Sequence, residues 1–392
     1  MAERNLAEPY GGRLINRLLD SDKAEKRIQE ARQMETIQPF IDFVYDAQQI
    51  GTGAYSPLEG FMDEETLDSV LGNNVLSNGL PWTMPIILAP AGEKNTKTMD
   101  AVREGDDVAL ADSNNNPFAI LHLDQKFKYD KETFATKVYG TKDPNHPNVS
   151  DIYNAYGNVA LSGKIDLVRK LTLPTGEFEL TPQETRNMFK ARGWRNVVAY
   201  QCRNPPHTAH EYIQRCALEA AEIDGLFIHP VVGRLKKGDY KPEIIMDAYR
   251  AVVQKYYPPS RVLLSSLSIT MRYGGPKAAL FLATVRKNYG ATHYIVGRDQ
   301  AGVGKYYDPY ACHRIFDQFN IGMIPLRYME TFYCKRCGWM ATEKTCPHAS
   351  EDRLSISQTR MRELLKEGKG LPGEILRPEV AQILSKGDVI LN

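Results

Sequence analysis

No apolar run in this 392-residue sequence approaches the ~20 residues needed to cross a bilayer, which excludes a membrane-spanning helix. Charge of one sign is lacking too. Lys plus Arg number 49 against 48 Asp plus Glu, so a globally basic nucleic-acid binder is disfavoured and any anion binding must come from local clusters. The polar start Met1-Ala-Glu-Arg-Asn5 is not a secretory signal, and the expected compartment is the cytoplasm, with no membrane partner. A disulfide framework is not expected either, because six cysteines in a large chain without a signal peptide point to reduced thiols. What is present, 42% hydrophobic and 25% charged residues, is an ordinary globular composition with length for two or three domains.

The cysteines are unevenly placed. Cys334-Lys-Arg-Cys337 followed by Cys346-Pro-His348 reads C-x2-C-x8-C-x-H, with Gly338 allowing the tight turn after the first pair. Three soft sulfurs and one imidazole leave no open position for water, so the expected ion is a structural zinc. Cys216 and Cys312 fall in helical stretches and read as small buried hydrophobes.

The period of the chain changes near residue 172. Before it, short strand patterns at Trp82–Ala89, Asp107–Leu110 and Phe118–Leu123, the loop Asn114–Pro117 and a helix near Leu14–Leu19 describe a β-rich domain over residues 1–172. After it, strands at Val197–Tyr200, Gly225–His229, Arg261–Ser265, Tyr294–Gly297 and Ile321–Pro325 alternate with helices at Thr208–Ala221, Pro242–Tyr256, Pro276–Asn288 and Pro309–Phe319. That α/β alternation predicts a doubly wound parallel sheet over 173–329, with its ligand beyond the carboxyl ends of the strands. Residues 330–392 hold the zinc loop and a basic amphipathic helix, Ser355–Lys366.

The densest chemistry follows the first of those strands. In Tyr200-Gln-Cys-Arg-Asn-Pro-Pro-His-Thr-Ala-His210 an apolar strand leads into Arg203, a double proline, and His207 and His210 three apart on the first helical turn. Free N–H groups and the positive end of a helix, with two imidazoles and a guanidinium, suit a polyphosphate plus a second oxyanion. The basic loop Gly233–Asp239 is placed either to close over phosphates or simply to lie in solvent. Gly297-Arg-Asp-Gln-Ala-Gly-Val-Gly304 narrowly misses a P-loop: Val303 stands where Lys is needed and Tyr306 where Ser or Thr is needed, so γ-phosphoryl chemistry is not encoded there.

At Gln201-Cys202-Arg203-Asn204-Pro205-Pro206-His207-Thr208-Ala209-His210 the chain resembles the ATP sulfurylases (sulfate adenylyltransferases), of the prokaryotic type that carries a zinc loop. Gly11–Leu14, Gly53–Met62, His229–Gly233, Gly297–Gly302 and Ser355–Arg360 resemble further family segments in the same order. Two positions depart from the pattern: Cys202 replaces a threonine, and Gln300 the histidine of Gly-Arg-Asp-His-Ala-Gly. The resemblance implies a PUA-like N-terminal barrel, a nucleotidyltransferase sheet and a homodimer or larger homo-oligomer. It also implies adenylyl transfer from ATP to sulfate, giving adenosine 5′-phosphosulfate and pyrophosphate, or the reverse, with magnesium carried on the nucleotide. Arg203 would grip sulfate with Gln201 and Asn204 as neutral donors, and His207 and His210 would neutralise the phosphate chain. Gly297, Arg298, Asp299, Gln300 and Ala301 would face the nucleotide and sulfate, and Met329 the adenine. Competing expectations are an adenylyltransferase for a phosphorylated organic acceptor, an inactive RNA-binding or regulatory relative, and a covalent route through Cys202 activated by His207.

Overall fold

The computed structural model describes residues 6–355 and 373–391. The basic helix expected after Ser355 lies outside the described residues.

In the N-terminal part, strands β1 (Thr36–Ile37), β2 (Gly60–Phe61), β3 (Asp107–Ala111), β4 (Pro117–His122), β5 (Gln125–Lys128) and β6 (Val159–Leu167) form one sheet. Its order is β1-β3-β4-β6-β2, with β5 also on β6. The β3–β4 turn closes as its asparagines predict, because Asp112 Oδ1 accepts from the N–H groups of Asn114 and Asn116 while Asn115 takes φ 62°. Around the sheet lie α1 (Ser21–Ala31), α2 (Ile41–Gly51), α3 (Glu64–Asn73), α4 (Glu93–Ala101), α5 (Lys131–Tyr139) and α6 (Pro147–Asn154).

Two expectations fail here. Leu14–Leu19 is extended rather than helical: Arg17 N–H donates to Gly51 O and Leu19 N–H to Leu167 O, so its backbone is spent on neighbours and the helix begins only at Ser21. Trp82–Ala89 is buried but is no strand, being joined to its surroundings by bridges at Pro81 and Leu88. Pro85 has no N–H to give a ladder, and Trp82 Nε1–H turns back to Met84 O at 2.6 Å.

Beyond α7 (Pro182–Ala191) the chain builds the parallel sheet from β7 (Val197–Tyr200), β8 (Gly225–Ile228), β9 (Val262–Leu264), β10 (His293–Val296) and β11 (Ile324–Arg327). The order β11-β10-β7-β8-β9 reverses direction between β7 and β10, which is the switch point. Alternate residues face opposite cores. Val198, Tyr200, Leu226, Ile228 and Ile295 meet α8 (Thr208–Leu218) and α9 (Pro242–Tyr256). Val197, Ala199, Phe227, Tyr294 and Val296 meet α7 and α10 (Gly275–Asn288). α11 (Ala311–Gln318) covers the β10–β11 edge.

That second core is continuous with the N-terminal one, since Phe43, Ile50, Tyr55 and Trp82 pack in the same buried cluster as Met271, Phe281 and Leu282. Ion pairs cross the seam as well: Arg272 to Asp46 at 2.6 Å, and Arg234 to both Asp42 at 2.9 Å and Asp151 at 2.7 Å. A small antiparallel sheet of β12 (Thr331–Cys334), β13 (Trp339–Thr342) and β14 (Arg353–Ser355), in the order β13-β12-β14, lies against α8. α12 (Pro378–Leu384) packs on α9. No helix among the described residues is long and apolar enough to cross a membrane.

Candidate active site

The two loops that leave the switch-point strands face each other. After β7, Gln201–Pro206 leads to His207, whose carbonyl accepts from His210 N–H at 2.9 Å and Glu211 N–H at 3.1 Å, while the N–H of Thr208, the first residue of α8, donates to Ile375 O at 2.9 Å. After β10 comes Gly297–Gly304. Arg203 Nη2 donates to Gly302 O at 3.3 Å, and Gln300 Nε2 donates to Gln201 Oε1 at 3.2 Å, so the loops form one site.

The β10 loop is bent by necessity. Asp299 and Ala301 both sit in the left-handed region, at φ 50° and 57°, a cost that non-glycine residues meet only where surroundings hold them. Asp299 N–H is fixed to Pro309 O at 2.7 Å, and Gly275 N–H to Ala301 O at 3.0 Å. Gly302 leaves room beside them for the Asp299 carboxylate, since a Cβ there would lie 2.1 Å from Asp299 Oδ1 and push it aside.

The polar groups of the β7 loop are arranged for a ligand. The rings of His207 and His210 stack with centroids 3.6 Å apart and planes 20° from parallel. Burial holds His207 well below the usual histidine range, and the neighbouring His210 adds to that; burial alone pushes His210 down to about 3. Both are therefore neutral at pH 7. The Nδ1 atoms of both rings and Nε of Arg203 are buried without a hydrogen-bond partner, three orphaned nitrogens within eight residues. Buried polar atoms are almost always satisfied, so such a cluster is the mark of a site that a polar ligand completes. The Arg203 guanidinium lies 5.1 Å over the Tyr273 ring, and Tyr273 O–H donates to Asp239 Oδ2 at 2.9 Å.

Residues 176–387 match the family described as ATP-sulfurylase, and residues 7–170 the PUA-like domain. A sulfate adenylyltransferase from Hyperthermus butylicus is 44% identical, over 97% of this chain and 96% of that one. One from Halothermothrix orenii is 43% identical, over 97% and 99%. The chain belongs to the ATP-sulfurylase family. A solved structure titled hexameric APS kinase from Thiobacillus denitrificans shares the fold, with TM-score 0.76 over 98% of this chain and 69% of that one at 24% identity.

Set on that ATP-sulfurylase frame, most expected site residues converge. Gln201, Arg203, His207, Asp299, Gln300 and Ala301 lie on the facing loops, and His210 on the first turn of α8. Gly297 begins the β10 loop, and Met329 lies just past β11, beside it, where Tyr328 N–H donates to Val296 O at 2.9 Å. Arg298 turns toward Glu330, 3.4 Å away. Cys202 is buried, and burial pushes its thiol up to about 12; a thiol that keeps its proton is no ready nucleophile, which counts against the covalent route. The basic loop is tied down, Arg234 by Asp42 and Asp151 and Lys236 by Asp239 at 2.8 Å, while Lys237 is exposed. Tyr273 and Tyr294 support the site but were not legible, since no local pattern in residues 270–275 or in His293–Val296 sets either apart from an ordinary buried aromatic.

The cysteine motif closes on itself. The ligand atoms of Cys334, Cys337, Cys346 and His348 all lie within 4.8 Å of one another, with Cys337 Sγ 3.8 Å from Cys346 Sγ and 3.2 Å from His348 Nδ1. A tetrahedron with metal–sulfur bonds near 2.3 Å has edges of about 3.8 Å, so the cluster can hold zinc. Cys337 N–H donates to Cys334 Sγ at 3.4 Å, and Arg353 Nη2 to His348 O at 3.1 Å, a supporting shell around the ligands. The cluster abuts the active helix: Thr208 Oγ1 reaches Met340 Sδ of β13 at 3.5 Å. Cys312 is buried as expected, but Cys216 is exposed on α8.

Proposed function

We propose that this chain transfers the adenylyl group of ATP to sulfate, giving adenosine 5′-phosphosulfate and pyrophosphate, or runs the same step in reverse, by direct in-line attack of sulfate on the α-phosphorus. The observation that carries the reading is the trio of orphaned buried nitrogens on Arg203, His207 and His210 at the switch point. Sulfate is already a dianion and needs no general base. Catalysis reduces to seating two mutually repelling anions in line and stabilising charge on the α-phosphoryl oxygens and the departing pyrophosphate.

In this reading Arg203 grips sulfate through Nε and an Nη, its plane set by Tyr273, with Gln201 and Asn204 donating beside it. His207 and His210 meet the phosphate chain, whose negative charge raises the affinity of the pair for a proton; with the rings stacked, two cations side by side repel, so one ring of the pair at most carries a proton. Gly297, Asp299 and Met329 line the nucleoside end, and Ala301 offers its N–H to sulfate. Magnesium travels on the nucleotide, where it would neutralise phosphate oxygens.

Zinc in the Cys334, Cys337, Cys346 and His348 cluster is structural, because four protein donors leave no position for substrate. Thiolate ligation and ATP consumption both suit a reducing cytoplasm. We divide the chain at 172 and 329, a reading supported at the first boundary by the break between the two matched stretches. By family resemblance it works as a homodimer or larger homo-oligomer, which sedimentation equilibrium tests. Pyrophosphate release from ATP that requires sulfate, together with ATP formation from the phosphosulfate and pyrophosphate, tests the reaction itself; absence of both in a zinc-loaded, folded sample would refute it.

A further inference from the structure

Gln300 stands where the family pattern has a histidine, and its side chain makes three hydrogen bonds. Its Oε1 accepts from Gly297 N–H at 3.1 Å; its Nε2 reaches Gln201 Oε1 at 3.2 Å and Tyr294 Oη at 2.7 Å. The first bond settles the other two. A backbone N–H can only donate, so the Gln300 atom facing it must be the oxygen, and the amide NH2 must point to Gln201 and Tyr294. Gln201 must then turn its own oxygen toward Gln300. Its NH2, which carries two donors and no acceptor, is then the end of the amide turned away from Gln300. Position is fixed from behind as well, since Cys312 Sγ donates to Gln300 O at 2.9 Å.

From this chain of donors and acceptors we infer that Gln300 is a positioning residue: it locks the Gln201 amide with its NH2 toward the bound oxyanion. The inference rests on the sulfate-binding reading given above. A freely flipping amide presents an acceptor to the anion in half of its orientations and repels it; the locked one always donates. Because an amide does not titrate, the lock holds at any pH at which the protein is folded.

The reverse lock can be built. In Gln300→Glu one carboxylate oxygen still accepts from Gly297 N–H, but the other can only accept, so Gln201 must turn its NH2 inward and its oxygen to the anion. Steady-state kinetics on the full-length zinc-loaded protein should show the sulfate KM raised about tenfold or more, the scale of one lost hydrogen bond to a charged group, with the ATP KM changed less than about threefold. Gln300→Met, which removes the lock without reversing it, should give a smaller rise in sulfate KM, and Gln300→His, the family residue, should keep most of the wild-type affinity. The decisive arm is a double-mutant cycle. In a Gln201→Leu background Gln300→Glu should have little further effect on sulfate KM, because no amide is left to turn. An unchanged sulfate KM in Gln300→Glu, or an equal change with and without Gln201, would overturn the lock and leave the reaction standing. Equal losses in both KM values with a lowered melting midpoint would likewise overturn it, as the mark of a merely structural residue. Absence of sulfate-dependent turnover in the wild type would remove the reaction, and with it the site the lock serves.

Discussion

Arg203→Lys keeps the charge at the centre of the site and removes its shape. The guanidinium stacks 5.1 Å over Tyr273, donates weakly to Gly302 O at 3.3 Å, and keeps Nε buried without a protein partner. Lysine loses the stacking, of the order of 0.5 to 2 kcal/mol. It also loses the second arm of a two-pronged grip on a tetrahedral anion, about 1.5 to 3 kcal/mol for a hydrogen bond between charged groups. Because the two overlap, about 2 to 4 kcal/mol is expected, or roughly 30-fold to 1,000-fold in kcat/KM for sulfate. ATP affinity should change far less, since in the proposed site the histidines rather than Arg203 meet the phosphate chain. The assay is pyrophosphate release at saturating ATP across a sulfate titration, with nucleotide binding measured separately. A kcat/KM for sulfate within about threefold of wild type would refute the placement of sulfate at Arg203.

The histidines, neutral and stacked, should be needed for turnover rather than folding: His207→Ala and His210→Ala are each expected to cost ~2 to 4 kcal/mol in barrier with near-normal melting midpoints, and the opposite pattern would make them structural. Burial lowers the folded-state affinity of His210 for a proton to about 3, below the unfolded value near 6.5, so the unfolded chain binds more protons in that interval. Stability is therefore complete above pH about 6.5 and falls on acidification toward 3; His210→Ala should flatten that slope in thermal melts, and an unchanged slope would contradict the burial argument. Metal analysis should find about one zinc per chain, with Cys337→Ser losing it and destabilising the hairpin that abuts Thr208; a folded, active, metal-free wild type would end the claim. Arg272→Met strands the buried Asp46 carboxylate, whose burial already pushes its affinity for a proton upward, and should cost about 3 to 5 kcal/mol, of which Asp46→Asn in the same chain recovers part. Denaturant titration of the two variants beside the wild type checks this.

Where local chemistry is strong, the sequence foretold the structure closely. The β-branched run before Tyr200 became β7 with the bounds expected, and Pro242 opens α9 where a proline belongs. The last strand was placed three residues early because Ile321 and Met323 look like strand; Gly322 instead turns at φ 66° with its N–H on Asn320 Oδ1, and β11 begins at Ile324. Trp82–Ala89 misled for a related reason, since apolarity reports burial and not pairing. In the site, residues whose chemistry is unusual for their surroundings stood out: Arg203, the two histidines and the cysteines. Tyr273 and Tyr294 did not, because their role depends on Arg203 and Gln300, which lie 70 and 6 residues away in sequence and meet them only in the fold.

The seam between the two matched stretches sets a limit on how such a chain can be cut or shuffled. Phe43 and Tyr55 share a buried cluster with Phe281, and Asp46 meets Arg272 within it. Expressed alone, the C-terminal stretch would bare that apolar face together with unpaired Arg234 and Arg272, and the N-terminal stretch would bare Asp42 and Asp46. Neither half is a module in the sense of a part that travels by itself. Calorimetry of the intact chain should give one cooperative transition for both, and a lineage recombining genes could exchange the pair only as a single inherited block.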